Sequence, residues 1–393
     1  MKLWCCYVPN LRFGSCDLNR CKIEKITLFH KQGYYTNEKY SSESEFYIFS
    51  GSNFKNHQLC YDSCNKINMN EKDSKSFAIN KGDVLLVRSG NVGDYAIVES
   101  EVQKAIFGSY LIKFVLNQNL VSNRYFGYFY ESPAFKQQLV KIVQASANTN
   151  INAENIKSIF ISYPSIGFQN KITSFLELID RRIETQNKII EKYESLKIEI
   201  KECIYLLSKE KEPLEKILHE VSEKSTTQNQ YPVLSSTVKG LFLQNEYFDR
   251  SIASDNNIGY KIVHKGQIII SPQNLWMGNL TFNDKYENGI VSPSYKIYDI
   301  DQKYSKKYIY WLLTSKRSFF NYGLVSEQGA SIVRRNLSID AFMGLSIPVV
   351  KDRNCESKIE KLIDLIEKKL ETEKKRESLL NQQKQFLLSN LFI

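Results

Sequence analysis

Glycine is sparse and proline sparser, 17 and 8 in 393 residues, and histidine falls to 4. The placement of these few excludes more than their number does. No two glycines are separated by a single residue, so no Gly-x-Gly nucleotide loop exists. No glycine precedes a lysine, which removes the phosphate-binding P-loop. All prolines are isolated, so the Asn-Pro-Pro-Tyr/Phe motif of an amino-methyltransferase cannot occur. His30, His57, His219 and His264 are scattered and suggest no nucleophile or metal arrangement. No apolar run approaches the roughly 20 residues that span a bilayer. Met1-Lys2-Leu3-Trp4-Cys5-Cys6 likewise opens no run long enough for a signal peptide. The expected setting is the cytoplasm, and the expected chemistry is none.

In that setting the eight cysteines read as reduced thiols rather than a disulfide framework. A zinc reading would use His57, Cys60 and Cys64, with Cys16 and Cys21 upstream. These elements lie far apart, unlike the tight pairs of a zinc site, so incidental thiols and no bound metal are expected.

Charge is present in both signs, 53 basic against 43 acidic residues for a net +10. Gln169 to Lys209 holds eight Lys/Arg and seven Asp/Glu, and Cys355 to Ile393 again holds eight and seven. Eight of the ten excess charges therefore lie outside these two balanced stretches. Such an excess is weak support for nucleic-acid binding by itself; its confinement to the segments between makes it informative.

The chain also repeats. Lys81-Gly82 opens the apolar run Val84 to Val87, and Lys265-Gly266 opens Ile268 to Ile270, 184 residues later. Gln144 and Gln328, Asn152 and Asn336, and Pro164 and Pro348 share that offset. The duplicated unit is a whole domain rather than a solenoid repeat. A long helical pattern follows each proline. Ile172, Leu176, Ile179, Ile183, Gln186, Ile190 and Tyr193 alternate spacings of three and four, as a coiled-coil seam does. Ile359, Ile363, Ile366, Leu370, Glu373, Glu377 and Leu380 repeat it at an offset of 187, and Leu387 continues the apolar face. The polar middle of each seam fixes register and partner choice at some cost in stability.

Strand signals include Tyr47-Ile48-Phe49, Val84 to Val87, Tyr110 to Val115, Gly266 to Ile270 and Tyr295 to Ile300. Arg124 to Ile142 and Lys306 to Phe320 read as amphipathic helices. The expected class is α+β: two β-rich mixed domains in tandem repeat, separated by two long helices forming an antiparallel coiled coil. The boundaries are 1–167 for the first domain, 168–209 for the first helix, 210–350 for the second domain and 351–393 for the second helix. About 40 helical residues reach roughly 60 Å.

These residues resemble the specificity subunits of Type I restriction–modification systems. Val8-Pro9-Asn10-Leu11-Arg12-Phe13 is similar to the family's opening. Lys81 to Leu86 with Arg88-Ser89-Gly90-Asn91-Val92-Gly93 resembles its central strand and loop. Val291 to Tyr295, Ile161 to Pro164, Phe168 to Ile172 with Phe175-Leu176, and Leu387 to Ile393 are further similar elements. Phe168 stands where an acidic residue commonly precedes the helix glutamine, and Lys351 to Ser357 is a looser match. The second domain carries Ser271-Pro272-Gln273-Asn274-Leu275-Trp276 in place of the Arg-Ser-Gly-Asn loop.

The resemblance implies that each globular domain is a target-recognition domain for one half of a split sequence in double-stranded DNA. It implies that the helices set the gap and dock two methyltransferase (modification) subunits. Restriction/translocase subunits join them, and S-adenosylmethionine, ATP and Mg belong to these partners, so the chain itself is non-catalytic. Expected DNA contacts are polar or basic residues of irregular loops. They are Asn53, Lys55, Arg88, Ser89, Asn91, Gln144 and Asn148 in the first domain. In the second they are Lys239, Gln273, Asn274, Trp276, Tyr295, Gln328, Arg334 and Arg335. Gln144 and Gln328 also suit structural capping, Tyr295 the core, and Trp276 a packing anchor. Three other readings remain open: a coiled-coil interaction scaffold without DNA, a specificity subunit of a related methyltransferase system, and an enzyme with an unrecognised site.

Overall fold

A computed structural model describes residues 17–37, 39–90, 93–144, 151–247, 256–328 and 335–392. The chain forms two units, Met1–Asn187 with Lys375–Ile393, and Lys188–Lys374, so each unit takes part of both long helices.

The first unit is built on a four-stranded antiparallel sheet in the order Thr27–Gln32, Leu111–Leu116, Val84–Val87, Tyr95–Ile97. Val84–Val87 is a run of branched apolar residues buried on both faces, which is why it sits inside the sheet. A second sheet joins Phe46–Phe49 in parallel to Ala105–Phe107 and antiparallel to Asn65–Ile67. Asn19–Lys22 pairs with Phe160–Tyr163, so the strand that enters the domain closes on the strand that leaves it.

The second unit repeats this plan. Its four-stranded antiparallel sheet runs Leu218–Val221, Lys296–Ile300, Ile268–Ile270, Leu280–Phe282. Lys211–Pro213 closes on Ser346–Pro348. The strands expected from sequence are found within one or two residues, at Phe46–Phe49, Val84–Val87, Leu111–Leu116, Ile268–Ile270 and Lys296–Ile300.

The amphipathic helix expected over Arg124 to Ile142 is two helices, Asn123–Glu131 and Pro133–Gln144. Ser132 is extended at ψ 153°, because a residue before proline avoids the helical region, and its hydroxyl accepts the Phe135 N–H. Lys306–Leu313 and Lys316–Leu324 divide likewise at Ser315, which caps the second of them through Ser318 N–H.

The long helices span Ile166–Leu207 and Arg353–Leu391. In the first unit, Ile172, Leu176 and Ile179 share a core with Leu387, Leu388 and Phe392, so the start of one helix lies beside the end of the other. In the second unit, Ile200, Ile204 and Tyr205 share a core with Ile359 and Ile363, and Lys197 meets Glu367 at 3.0 Å. Each unit thus contains an antiparallel pair. Of the seam positions, Ile366 and Leu370 are also buried, whereas Ile183, Ile190, Tyr193, Ile359 and Leu380 are half-buried. The polar seam residues Gln186 and Glu373 are buried, at 8% and 2% exposure.

One seam-side residue contradicts its surroundings. Lys201 is buried, with its Nζ donating to Thr314 O and Oγ1 and lying 5.0 Å over the Trp311 ring. Burial, with Lys197 nearby, pushes its ammonium down to about 7 despite Glu367. The residue at the same place in the other helix, 187 positions on, is Leu388, fully buried. Lys201→Leu should therefore stabilise the protein near neutral pH by about 1–2 kcal/mol, roughly 2–8 °C in Tm. An unfolded lysine titrates near 10.4 and holds its proton more tightly than the buried one. Stability from this group accordingly rises with pH between about 7 and 10. Thermal unfolding at pH 6.5 and 9 checks both points: the leucine variant should lose that rise, and an unchanged Tm would mean that the Thr314 bonds offset the burial.

Candidate nucleic-acid interface

In each unit the central strand runs out into an irregular loop. In the first unit the loop after Val87 begins at Arg88, whose backbone N–H donates to Tyr110 O at 3.0 Å. The Arg88 Nε donates to Ile151 O at 3.1 Å, which ties this loop to the segment following residues 145–150. Ser89 is exposed and Arg88 half-buried. Gly93 has φ 113° and lies under Lys136, where an added Cβ would come within 2.9 Å of Cε. Tyr130 anchors the overlying helix by donating its hydroxyl to Val87 O at 2.7 Å.

Other expected contacts of this domain fare differently. Lys55 is exposed, 3.6 Å from Asp62. Asn53 is only 3% exposed, so the expectation of a DNA contact there is corrected. Its Oδ1 accepts the Ser50 N–H at 2.8 Å and closes a capping box, which uses up the side chain locally. Asn91 and Asn148 lie outside the described residues, and Gln144 is described only as the last residue of its helix.

In the second unit the loop after Ile270 makes the short helix Leu275–Met277 and ends at Gly278, φ 100°. The Trp276 ring carries the Arg335 guanidinium at 4.1 Å. Arg335 N–H donates to Gln273 O at 3.1 Å, joining this loop to the hairpin of Ser326–Gln328 with Arg335–Leu337. Gln273 is exposed. Asn274 Oδ1 and Trp276 Nε1 are buried with no hydrogen-bond partner among the described residues. Lys239 is exposed at the turn between Leu234–Thr237 and Gly240–Leu243. That hairpin is held by Ser236 Oγ donating to Asn279 Oδ1 at 2.9 Å. Tyr295 donates its hydroxyl to Ser236 O at 3.3 Å, and burial pushes its phenol up, so it holds the hairpin from beneath. Arg334 lies outside the described residues, and Gln328 is placed only by its pairing with Arg335.

Sequence reading missed the residues that attach each domain to its helix. Gln169, fully buried, accepts the Ser122 N–H at 2.9 Å and donates to Leu120 O and Pro164 O, both at 2.8 Å. Glu356, 187 positions on and 4% exposed, accepts the Ser305 N–H, also at 2.9 Å. Each therefore binds the backbone of the serine that caps the next helix. The offset of the helices pointed to this pair, although the local match at the second helix was loose.

An ionic cluster was missed too. In the first unit Lys384 Nζ lies 2.8 Å from both Asp180 and Glu131. Tyr128 donates to Asp180 at 2.6 Å, and His57, stacked on Tyr95 at 4.1 Å, approaches Asp180 to 3.6 Å. Burial alone would raise the Asp180 carboxyl, but His57, Lys384 and Tyr128 outweigh it and hold it at about 2. This cluster borders a cavity of about 700 Å³. Among the described residues no set of three His, Cys, Asp or Glu is placed to hold a metal, and no helix is long and apolar enough to cross a membrane.

Two modules of one sheet order, each fastened to a charged helix pair and each presenting polar loops, define a tandem recognition protein. Residues 21–195 match the family model described as the Type I restriction modification DNA specificity domain. The whole chain is similar to the crystal structure of a Type I restriction–modification system S subunit from M. genitalium. The TM-score is 0.51 at 16% identity, with 96% of each chain covered. A structure described as showing complex assembly and conformational transition of the type I R-M system is similar at TM-score 0.59 and 11% identity, covering 94% of this chain and 96% of that one. No curated protein matches the sequence. Residues 21–195 belong to the Type I DNA specificity domain family, and the chain as a whole has the fold of Type I S subunits.

Proposed function

We propose that this chain is the non-catalytic specificity subunit of a Type I restriction–modification system and reads a bipartite DNA target in the cytoplasm. Residues 1–167 and 210–350 each take one half-site. Residues 168–209 and 351–393 set the distance between halves and receive two methyltransferase subunits, and restriction/translocase subunits complete the complex. S-adenosylmethionine, ATP and Mg are then used by those partners.

The observation that carries this reading is the repetition of one scaffold with different loops at one place. Sheet order, capping serines and helix attachments are duplicated. The loops that leave the two central strands are Arg88–Gly93 and Ser271–Gly278, with unlike residues. A shared frame with unlike loops suits one task performed on two sequences. Leu178, Leu379 and Phe386 stand more than half exposed on the helices of the first unit, which suits them to packing against a partner protein.

The test is coexpression with the methyltransferase subunits encoded beside this chain, followed by mapping of methylated DNA. A split, asymmetric motif modified on both strands, and only when this chain is present, is expected. Methylation of the same sites without the chain would overturn the proposal.

A further inference from the structure

Arg335 is a cation with an unspent edge. Its backbone N–H is held by Gln273 O, its guanidinium lies on Trp276 at 4.1 Å, and its Nη1 donates to Gly323 O at 3.3 Å. The first contact holds the backbone, and the other two hold the guanidinium against the ring. They leave the Nε and Nη2 donors without a hydrogen-bond partner, and the group without an ion pair, among the described residues. Elsewhere in this unit Lys265 pairs with Glu287 at 2.7 Å and Lys296 with Glu220 at 2.6 Å. Arg335 thus presents two parallel donors, flat and preorganised on an aromatic ring, at little further entropic cost.

Such a fork fits two acceptors lying in one plane. Two groups of duplex DNA offer that: the O6 and N7 of a guanine in the major groove, and the oxygens of a phosphate. The internal repeat separates these alternatives. Asn152 and Asn336 correspond at the offset of 184, which places Ile151 of the first domain opposite Arg335. The phosphate backbone is alike at both half-sites, so a phosphate contact suits both domains equally. A residue that only one domain possesses suits what differs between the half-sites, which is the bases.

We infer that Arg335, on its Trp276 platform, is a specificity-determining residue that reads one guanine in the half-site of the second domain. This rests on the proposed function and names one of its contacts. Within the half-site of residues 210–350, one position is guanine, and changing it weakens binding about ten- to a hundredfold.

The experiment measures binding of the chain, assembled with its methyltransferase subunits, to duplexes carrying every base at each position of the mapped motif. Arg335→Ala should reduce the preference at one G·C position to less than about threefold. Arg335→Lys, which keeps the charge but loses the flat fork, should do nearly the same. Preferences in the other half-site should stay as they are, which also shows that the variants are folded. Uniform weakening on all duplexes with every base preference kept would mean a phosphate contact and would overturn the inference, as would unchanged preferences throughout. Either result leaves the proposed function standing. Failure of the unaltered assembly to prefer any sequence would instead remove that function, and this inference with it.

Discussion

Lys384→Ala should destabilise the protein by about 3 kcal/mol, lowering Tm by roughly 6–12 °C. The Lys384 side chain is 9% exposed and holds Asp180 and Glu131, themselves only 22% and 17% exposed. Truncation leaves two carboxylates facing each other with their cation gone, and Glu131 Oε2 already has no hydrogen-bond partner among the described residues. The repeat supplies the control. Lys197 and Glu367 stand 187 positions from Lys384 and Asp180 and pair at 3.0 Å, but with side chains 32% and 41% exposed. Lys197→Ala should therefore cost under about 1 kcal/mol, since water screens that pair. Equal losses in the two variants would show that burial is not the deciding factor.

Acid should separate them further. The Asp180 carboxyl is held at about 2, below its unfolded value. Its stabilisation is thus fully present above about pH 4 and is lost as pH falls through 2. Without Lys384 the folded carboxyl takes up its proton at higher pH, so less remains to be lost. The melting temperatures of the unaltered protein and Lys384→Ala should converge between pH 4 and 2, while Lys197→Ala stays parallel to the unaltered protein.

Excising one matched heptad from both helices, Gln186 to Lys192 and Glu373 to Leu379, should change the target altogether. Seven residues are two turns of a coiled-coil seam, so the apolar stripe keeps its face. They remove about 10.5 Å of helix, close to three base pairs at about 3.4 Å each. If the helices set the gap, methylation of the original motif should fall by more than about a hundredfold. A motif with the same two halves, three base pairs closer, should replace it. Methylation mapping in cells decides the matter, and an unchanged gap would remove the spacing role. Excision from one helix alone breaks the match between the polar seam positions and should unfold the pair.

Much of the frame was legible in the sequence because it rests on periodicity, and periodicity is local. The 3–4 alternation falls within both long helices, and Ile172, Leu176, Ile179, Ile363, Ile366 and Leu370 are buried. The offsets of 184 and 187 mark the duplication in the sequence itself. The absent glycine and proline motifs narrowed the chemistry for the same reason, since those loops need particular residues in sequence.

What only the tertiary structure decided are contacts between residues far apart in the chain. Asn53 looked like a polar loop residue and is buried, because its amide closes the turn at Ser50. Arg124 to Ile142 carried one helical stripe, yet the backbone before Pro133 cannot stay helical. Gln169 reaches a backbone N–H 47 residues away, and Lys384 a carboxylate more than 200 away. Arg335 lies on Trp276, with which it shares no periodic relation. Composition and spacing determine which segments become buried; which polar side chains are consumed there, and which remain free to meet a ligand, is settled when the distant segments pack.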